Sequence, residues 1–186
     1  MNVKYLLSRI KYYYIIAKYW KRETVFLVLL LLIYMLYIKK ETETKRIVFA
    51  VLLGVYTFYI FLFTVLSRAP IQIYQYKIIP FWSYFKILCG EKKYIKEVLL
   101  NIIVFIPEGF LITYNFDKWS VKKYIIIGFI MSTTIEVLQL LLKRGMFELD
   151  DILGNTLGIV FGTWIINHWR QYIRVNKMKR GKYELD

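Results

Sequence analysis

The sequence predicts an all-α, polytopic integral membrane protein, and three observations lead to that class. The chain is 58% hydrophobic and 19% aromatic while carrying a formal net charge of +14, which leaves more apolar surface than one soluble domain of 186 residues can bury. Runs of about twenty residues with few or no charges recur along it, as a hydrocarbon core about 30 Å thick requires. Lysines and arginines are concentrated at the ends of these runs, where they can contact lipid headgroups.

Five apolar runs predict five transmembrane helices. Four of them are bounded by charged residues at distances that suit a full span, and the first is shorter. That first run can still cross the membrane if its flanking lysines extend to the interface or the bilayer thins locally. In chain order, the predicted spans are 24–38, 47–67, 98–116, 124–142 and 152–169.

The first 23 residues mix basic side chains with tyrosines and aliphatic residues, which is typical of an amphipathic helix lying in the headgroup region. An unstructured basic cytoplasmic tail is the alternative. No small-residue cleavage site follows the first apolar run, so we expect the membrane anchor to remain attached. The predicted organisation is an N-terminal amphipathic segment, the first two spans, the remaining three spans and a basic C-terminal tail, at 1–23, 24–66, 67–169 and 170–186.

The distribution of basic residues predicts the orientation in the membrane. Lysine and arginine are denser in loops 39–46 and 117–123 and in the tail 170–186 than on the opposite side. The positive-inside rule therefore places those segments in the cytoplasm and loop 143–151 outside.

Composition also excludes several classes of site. The basic residues lie at helix ends and in short loops rather than on one face, so we do not expect nucleic-acid binding. One cysteine excludes an intramolecular disulfide, and one histidine excludes a histidine-rich metal site. We predict no metal and no cofactor, and the oligomeric state stays open.

Polar residues inside three of the predicted spans recur at helical spacing. Because lipid penalises exposed polar side chains, we expect the three polar faces to turn toward one another. The members of these faces are Glu97, Asn101, Val104 and Glu108; Ser132, Glu136, Gln139 and Lys143; and Asp151, Asn155, Gly158 and Gly162.

Small residues and a proline predict how the helices pack. Gly154, Gly158 and Gly162 form a GxxxGxxxG series, which lets another helix approach closely, either within the chain or in a dimer. Pro107, followed by Gly109, is expected to kink the third span and to free a carbonyl group near residue 103. A break of this kind often lines a cavity.

The short loop 143–151 is expected to bring two polar faces and several charges to one side of the membrane. Ionisable residues within a membrane are a functional hypothesis by default, and we expect Arg144 or Arg68 to pair with Glu136. A buried network that only fixes the helix register is the alternative. The candidate ligand-binding residues are Arg68, Asn101, Glu136, Gln139, Arg144, Asp151 and Asn155.

Four blocks of sequence, in this order, resemble the VanZ-like family of bacterial membrane proteins, whose namesake is associated with resistance to the glycopeptide teicoplanin. The blocks are IIPF at 78–81, NIIVFIPEGF, SxxxExxQ beginning at Ser132, and RGMFELDDILGNTLGIVFG. They cover about residues 67–163, which makes 67–169 the expected VanZ-like domain. The resemblance implies that the characteristic positions are Arg68, Pro80, Asn101, Pro107, Gly109, Glu136, Gln139, Arg144, Asp151, Asn155 and Gly158.

This chain departs from the family pattern at three positions. Glu108 stands where an aromatic residue is usual, Lys77 where asparagine is common, and Glu148 where aspartate is common. Lys77 and Glu108 place charged side chains near the shared face where the family usually has an asparagine and an aromatic residue. We therefore expect the ligand preference of this chain to differ from that of its relatives.

Two classes of function remain open, and we favour a non-enzymatic protein of the cell envelope. It would bind membrane lipids, a lipid-linked cell-wall precursor or a lipoglycopeptide in an outward-facing polar cleft, and would contribute to glycopeptide resistance of the teicoplanin type. The alternative is an intramembrane enzyme, transporter or flippase acting on a lipid phosphate, with Glu136 as acid or base and Asp150 and Asp151 holding Mg²⁺ or Ca²⁺. No histidine or cysteine nucleophile lies near the cluster, because His168 is at the far end of its helix and Cys89 lies outside the motifs.

Overall fold

A computed structural model describes residues 43–183, with side chains described as far as residue 176. The chain in this range is mostly helical. Its elements are α1 (Glu43–Phe61), continued by a π-helical turn (Leu62–Leu66), then β1 (Tyr76–Lys77), α2 (Trp82–Leu88), α3 (Lys93–Asn115), α4 (Val121–Leu141), β2 (Phe147–Glu148) and α5 (Leu149–Tyr183). The amphipathic segment predicted at 1–23 and the span predicted at 24–38 lie outside the described residues.

Three of the described helices are long and apolar enough to cross a membrane. They are α1 with its π-helical turn, α4, and α5 as far as Asn176, and they coincide with the spans predicted at 47–67, 124–142 and 152–169. Helix α3 coincides with the run at 98–116, but it is not one of the three. The tail predicted at 170–186 is largely helical, because α5 continues to Tyr183.

Helix α3 lies in the middle of the bundle. It contacts α1, α2, α4 and α5, and its contact with α5 is the most extensive. Phe105 and Phe110 from α3 pack in the core with Phe49 of α1 and Ile159 of α5. The outward faces are apolar, as a lipid environment requires. On α1, for example, Ile47, Val51, Val55 and Phe58 are exposed at helical spacing.

A row of glycines, which we call the glycine seam (Gly109, Gly154, Gly158 and Gly162), brings α3 and α5 into backbone contact. A Cβ atom on Gly158 would overlap the carbonyl group of Ile102, and one on Gly162 would overlap that of Ile106. A Cβ atom on Gly109 would in turn overlap the carbonyl oxygen of Ile159, and one on Gly154 would lie 3.3 Å from Asn101 Cβ. The GxxxGxxxG series therefore packs within this chain.

Helix α3 continues through Pro107. Proline has no N–H group, so one carbonyl of the preceding turn loses its helical donor. The hydroxyl group of Tyr56, on α1, donates a 2.7 Å hydrogen bond to the carbonyl oxygen of Val104, beside the position where the free carbonyl was expected. At the end of α3, Arg170 donates hydrogen bonds of 3.3 Å to the carbonyl groups of Thr113 and Tyr114.

The two connections 67–92 and 142–148 lie at one end of the bundle, which we call the polar end. Strands β1 and β2 pair in parallel there, with Tyr76 opposite Phe147. Two backbone hydrogen bonds extend the contact, from Ile71 N to Lys143 O at 2.7 Å and from Phe147 N to Gln75 O at 3.0 Å. The end of α1, the start of α3, the end of α4 and the start of α5 therefore meet at the same end, as simple alternation of the helices predicts.

Candidate ligand site at the polar end

Asp150 caps the short helix α2 from a distant part of the chain. Its Oδ1 accepts a 2.6 Å hydrogen bond from Phe81 N, and its Oδ2 accepts one of 2.6 Å from Ser83 N. Phe81 has a left-handed backbone conformation with φ 61°, and it directly precedes α2. A carboxylate that accepts N–H groups in the first turn of a helix acts as an N-cap, so Asp150 has a structural task.

Arg144 bonds to the backbone at the end of the π-helical turn that continues α1. Its Nη1 donates hydrogen bonds to Leu66 O at 2.6 Å and to Arg68 O at 2.9 Å. Leu66 is the last residue of the π-helical turn and Arg68 follows it, so their carbonyl groups have few backbone donors. Among the ion pairs of the described residues, none joins Arg144 to Glu136. Of the two partners expected for Glu136, Arg144 is therefore not the one, because its Nη1 bonds to backbone oxygens, whereas Arg68 acts on Glu136 electrostatically.

Glu136 is 1% exposed, and its Oε2 accepts a 2.9 Å hydrogen bond from Glu148 N. Asp151 and Arg68 lie close enough to act on it electrostatically, and Arg68 also acts on Asp151. The guanidinium group of Arg68 makes no hydrogen bond or ion pair with any residue that the structure describes. Arg68 is therefore a positive charge shared by two carboxyl groups without a direct bond to either.

Hydrogen bonds between helices show that the polar faces of α3, α4 and α5 do meet. Asn101 Nδ2 on α3 donates to Asp151 Oδ1 on α5 at 2.6 Å. Asn155 Nδ2 on α5 donates to Ser132 Oγ on α4 at 2.8 Å. The polar faces thus hold the three helices in register at this end of the bundle.

Two buried amide oxygens in this region have no hydrogen-bond partner among the described residues. They are Gln139 Oε1 and Asn155 Oδ1, and their side chains are 1% and 4% exposed. Most buried polar groups in folded proteins are hydrogen-bonded, so each exception calls for an explanation.

Gly145 leaves space for the side chains of Gln139 and Arg68. A Cβ atom there would lie 2.7 Å from Gln139 Oε1 and 2.8 Å from Arg68 Nη1. Sequence reasoning missed this residue, although its place in the tight Lys143 to Gly145 turn was a usable signal. Ser132 was placed on a polar face without a role, and it accepts the Asn155 hydrogen bond.

Two of the three departures from the family pattern are partners of each other. Lys77 Nζ lies 3.1 Å from Glu148 Oε2, and β1 and β2 bring the two residues opposite one another. Burial would lower the pKa of Lys77, but the hydrogen bond and the negative charge of Glu148 outweigh that effect and raise it above its usual value. The pair therefore joins the two loops of the polar end.

The third departure, Glu108, does not belong to this cluster. It is fully buried, and Thr57 Oγ1 on α1 donates a 2.6 Å hydrogen bond to its Oε1. Its Oε2 has no partner among the described residues. The predicted polar face of α3 is therefore divided, with Asn101 turned toward α5 and Glu108 toward α1.

A metal site formed by Asp150 and Asp151 does not fit the arrangement of these side chains. Both Asp150 oxygens accept backbone N–H groups, and Asp151 Oδ1 accepts from Asn101. In the part of the chain that the structure describes, no group of three or more histidine, cysteine, aspartate or glutamate residues could hold a metal ion.

A helical bundle with apolar outer faces and a buried polar end defines a helical membrane protein. The model of the VanZ/LLP1 family matches residues 25–170, so the chain belongs to this family. The match confirms the resemblance carried by the four motifs. It also begins well before residue 67, and so includes most of the region 24–66 that was assigned to the first two spans.

Protein VanZ of Enterococcus faecium is a relative of this chain, with 26% identity over 85 residues. The aligned part covers 46% of this chain and 53% of that relative, so the chain spans about half of the length of the curated relative that it matches. No solved structure matches the chain.

Proposed function

We propose that this chain is a cell-envelope membrane protein that binds the polar part of a lipid-linked or lipophilic ligand at the polar end of its bundle. The observation that carries the proposal is the unmet hydrogen-bonding capacity of two buried amide oxygens, Gln139 Oε1 beside Arg68 and Asn155 Oδ1 one helical turn from Asp151. A buried polar group without a partner costs about 1–3 kcal/mol. A ligand that supplies the missing partners would recover this cost.

Other polar residues at the same end bond within the fold, which supports a division of roles. Arg144 and Asp150 bond to backbone groups, and Asn101 bonds to Asp151. Arg68 and Gln139, in contrast, lie side by side over Gly145 with their polar atoms available. Of the predicted ligand-binding residues, we therefore propose Arg68, Glu136, Gln139, Asp151 and Asn155 as the binding group, with Asn101 and Arg144 supporting it.

We propose five membrane passes, with the run at 24–38 as the first and the polar end outside a bacterial plasma membrane. The family match supports the first pass because it includes residues 25–38. The greater density of basic residues in loops 39–46 and 117–123 supports the orientation. The polar cleft would then open toward the cell envelope, where lipid-linked cell-wall precursors and lipoglycopeptides are found.

Membership of the VanZ/LLP1 family supports a contribution to glycopeptide resistance of the teicoplanin type. Binding of a lipid-linked precursor or of a lipoglycopeptide would account for such a contribution without covalent chemistry. When neither a lipid-linked precursor nor a lipoglycopeptide is bound, membrane lipids are the expected partners.

The binding proposal can be tested with full-length protein in detergent and a labelled lipid-linked cell-wall precursor. Binding should be saturable, and Arg68→Gln and Gln139→Leu should each weaken it about tenfold, which is about 1.4 kcal/mol, while melting close to the parent. Thr134→Ala is the matched control, because its exposed hydroxyl bonds only within α4. Non-saturable binding, or binding lost only in variants that have also lost stability, would reject the proposal.

A further inference from the structure

We infer that the segment 73–88, which includes α2, lies in the membrane leaflet at the polar end, and that lipid acyl chains are the partner of its exposed apolar side chains. The segment lies between two predicted spans, and α2 is not one of the three helices long enough to cross the membrane. The inference goes beyond the proposed ligand binding and does not depend on it.

The side chains of α2 are arranged in the reverse of the order that suits a helix in water. Phe81, Phe85 and Leu88 are spaced at i, i+4 and i+7, so they share one face, which we call the outer face of α2. They are 62%, 61% and 85% exposed, whereas the polar Ser83 is buried. A surface helix in water turns its apolar face inward, so the outer face of α2 suits contact with lipid.

The residues before α2 extend this apolar surface. Ile73, Ile78 and Ile79 are each more than half exposed, as are Val51 and Phe58 on the outward face of α1. Apolar surface that clusters in this way marks an interaction site on a protein. Because α1 is long and apolar enough to cross the membrane, equal exposure in the segment 73–88 points to the same lipid surroundings.

Hydrogen bonds of the backbone allow α2 to leave water. Within a bilayer, a backbone N–H group needs a partner in the protein, and the first N–H groups of a helix have none within the helix. Asp150 accepts hydrogen bonds from Phe81 N and Ser83 N, both at 2.6 Å. At the other end, Cys89 N donates to Phe85 O at 3.0 Å. The cap by Asp150 thus replaces the water that the start of α2 would otherwise need.

Length and charge place α2 at the level of the headgroups and the adjoining acyl chains. Its seven residues extend about 10 Å, which is about one third of the hydrocarbon core. Lys92 and Lys93 follow soon after α2 and are exposed, and Lys86 Nζ lies 5.1 Å from the centre of the Trp82 ring. Lysine and tryptophan side chains are typical of the membrane interface, where ammonium groups reach lipid phosphates.

The experiment measures the surroundings of the outer face with the full chain in lipid nanodiscs. Phe85→Cys and Leu88→Cys, each in a Cys89→Ser background, carry an environment-sensitive fluorophore, and Asp117→Cys, exposed at the opposite end, is the matched control. A lipid with a spin label high on its acyl chain quenches fluorophores in the leaflet, and iodide quenches those in water. We expect the lipid to quench positions 85 and 88 about threefold more than position 117, and iodide to show the reverse order.

Thermal melting of each labelled variant checks that it is folded. The exposed native cysteine at the end of α2 carries the same fluorophore in the unaltered chain, where the lipid should again quench more than at position 117. Quenching of positions 85 and 88 by iodide but not by the lipid would overturn the inference, because the outer face of α2 would then lie in water. Protection from both quenchers would also overturn it, because the face would then be covered by protein, such as a second copy of this chain.

Discussion

The glycine seam joins α3 to α5, whereas the polar end lies where the ends of α1, α3, α4 and α5 meet, and the two regions differ in how complete their contacts are. In the glycine seam, backbone carbonyl groups of one helix fill the space left by the glycines of the other, and Thr113 donates a 2.9 Å hydrogen bond to Thr163. At the polar end, buried oxygens of Gln139 and Asn155 are left without partners. The comparison teaches that a closed contact serves stability, while an incomplete one leaves hydrogen-bonding capacity unused.

The largest effect is expected in the glycine seam. Gly158→Leu places a branched side chain against the backbone of Ile102 and against Phe105 Cβ, so we expect a loss of about 3 kcal/mol in the free energy of unfolding. Gly54→Leu is the control, because no atom lies within 4 Å of its Cβ position. Thermal melting in detergent measures both variants, and equal melting temperatures would contradict the close contact.

Asp150 lies at the polar end, but both of its carboxylate oxygens are hydrogen-bonded. We therefore expect its replacement to lower stability, as a change in the glycine seam does. Asp150→Ala removes the acceptors of Phe81 N and Ser83 N, which should cost about 2 kcal/mol. Hydrogen exchange across 81–88 should increase in this variant. Asp117→Ala, at an exposed position of the opposite end, provides the control, and an unchanged exchange rate in Asp150→Ala would rule out its capping role.

Arg144 and Arg68 differ in the same way as the two regions, because Arg144 is hydrogen-bonded within the fold and Arg68 is not. Arg144→Lys keeps the charge but loses the planar group that bonds to Leu66 O and Arg68 O, so we expect a loss of about 1 kcal/mol in stability. Arg68→Lys should melt like the parent and lose ligand binding. Thermal melting and lipid binding are measured for both variants. If Arg144→Lys kept its stability and lost binding, the roles of the two arginines would be reversed.

The smallest effect is expected for the ion pair between Lys77 and Glu148, whose side chains are 32% and 21% exposed. Lys77→Gln should cost about 0.5 kcal/mol near neutral pH. Because the pKa of Lys77 is raised in the folded protein, the contribution is present below the pKa of an unfolded lysine and is lost as the pH rises through the folded value. The melting temperatures of parent and variant should therefore converge in strongly alkaline buffer, and a constant difference would contradict the ion pair.

The sequence by itself determined the helical membrane class, the spacing of the polar faces and the glycine series. Each of these depends on residue type and on a helical period, which can be counted along the chain. The order of the motifs was also sufficient to indicate the VanZ-like family, which the match to residues 25–170 confirms.

Only the tertiary structure decided which polar residue meets which partner. Arg144 and Arg68 are the same type of residue, yet Arg144 is bonded to two carbonyl groups, whereas Arg68 acts electrostatically on two carboxyl groups. Asp150 precedes Asp151, yet one caps α2 and the other bonds to Asn101 on α3. These differences arise because adjacent residues at a helix start point in directions about 100° apart, and the path of the loops places a different neighbour in each direction.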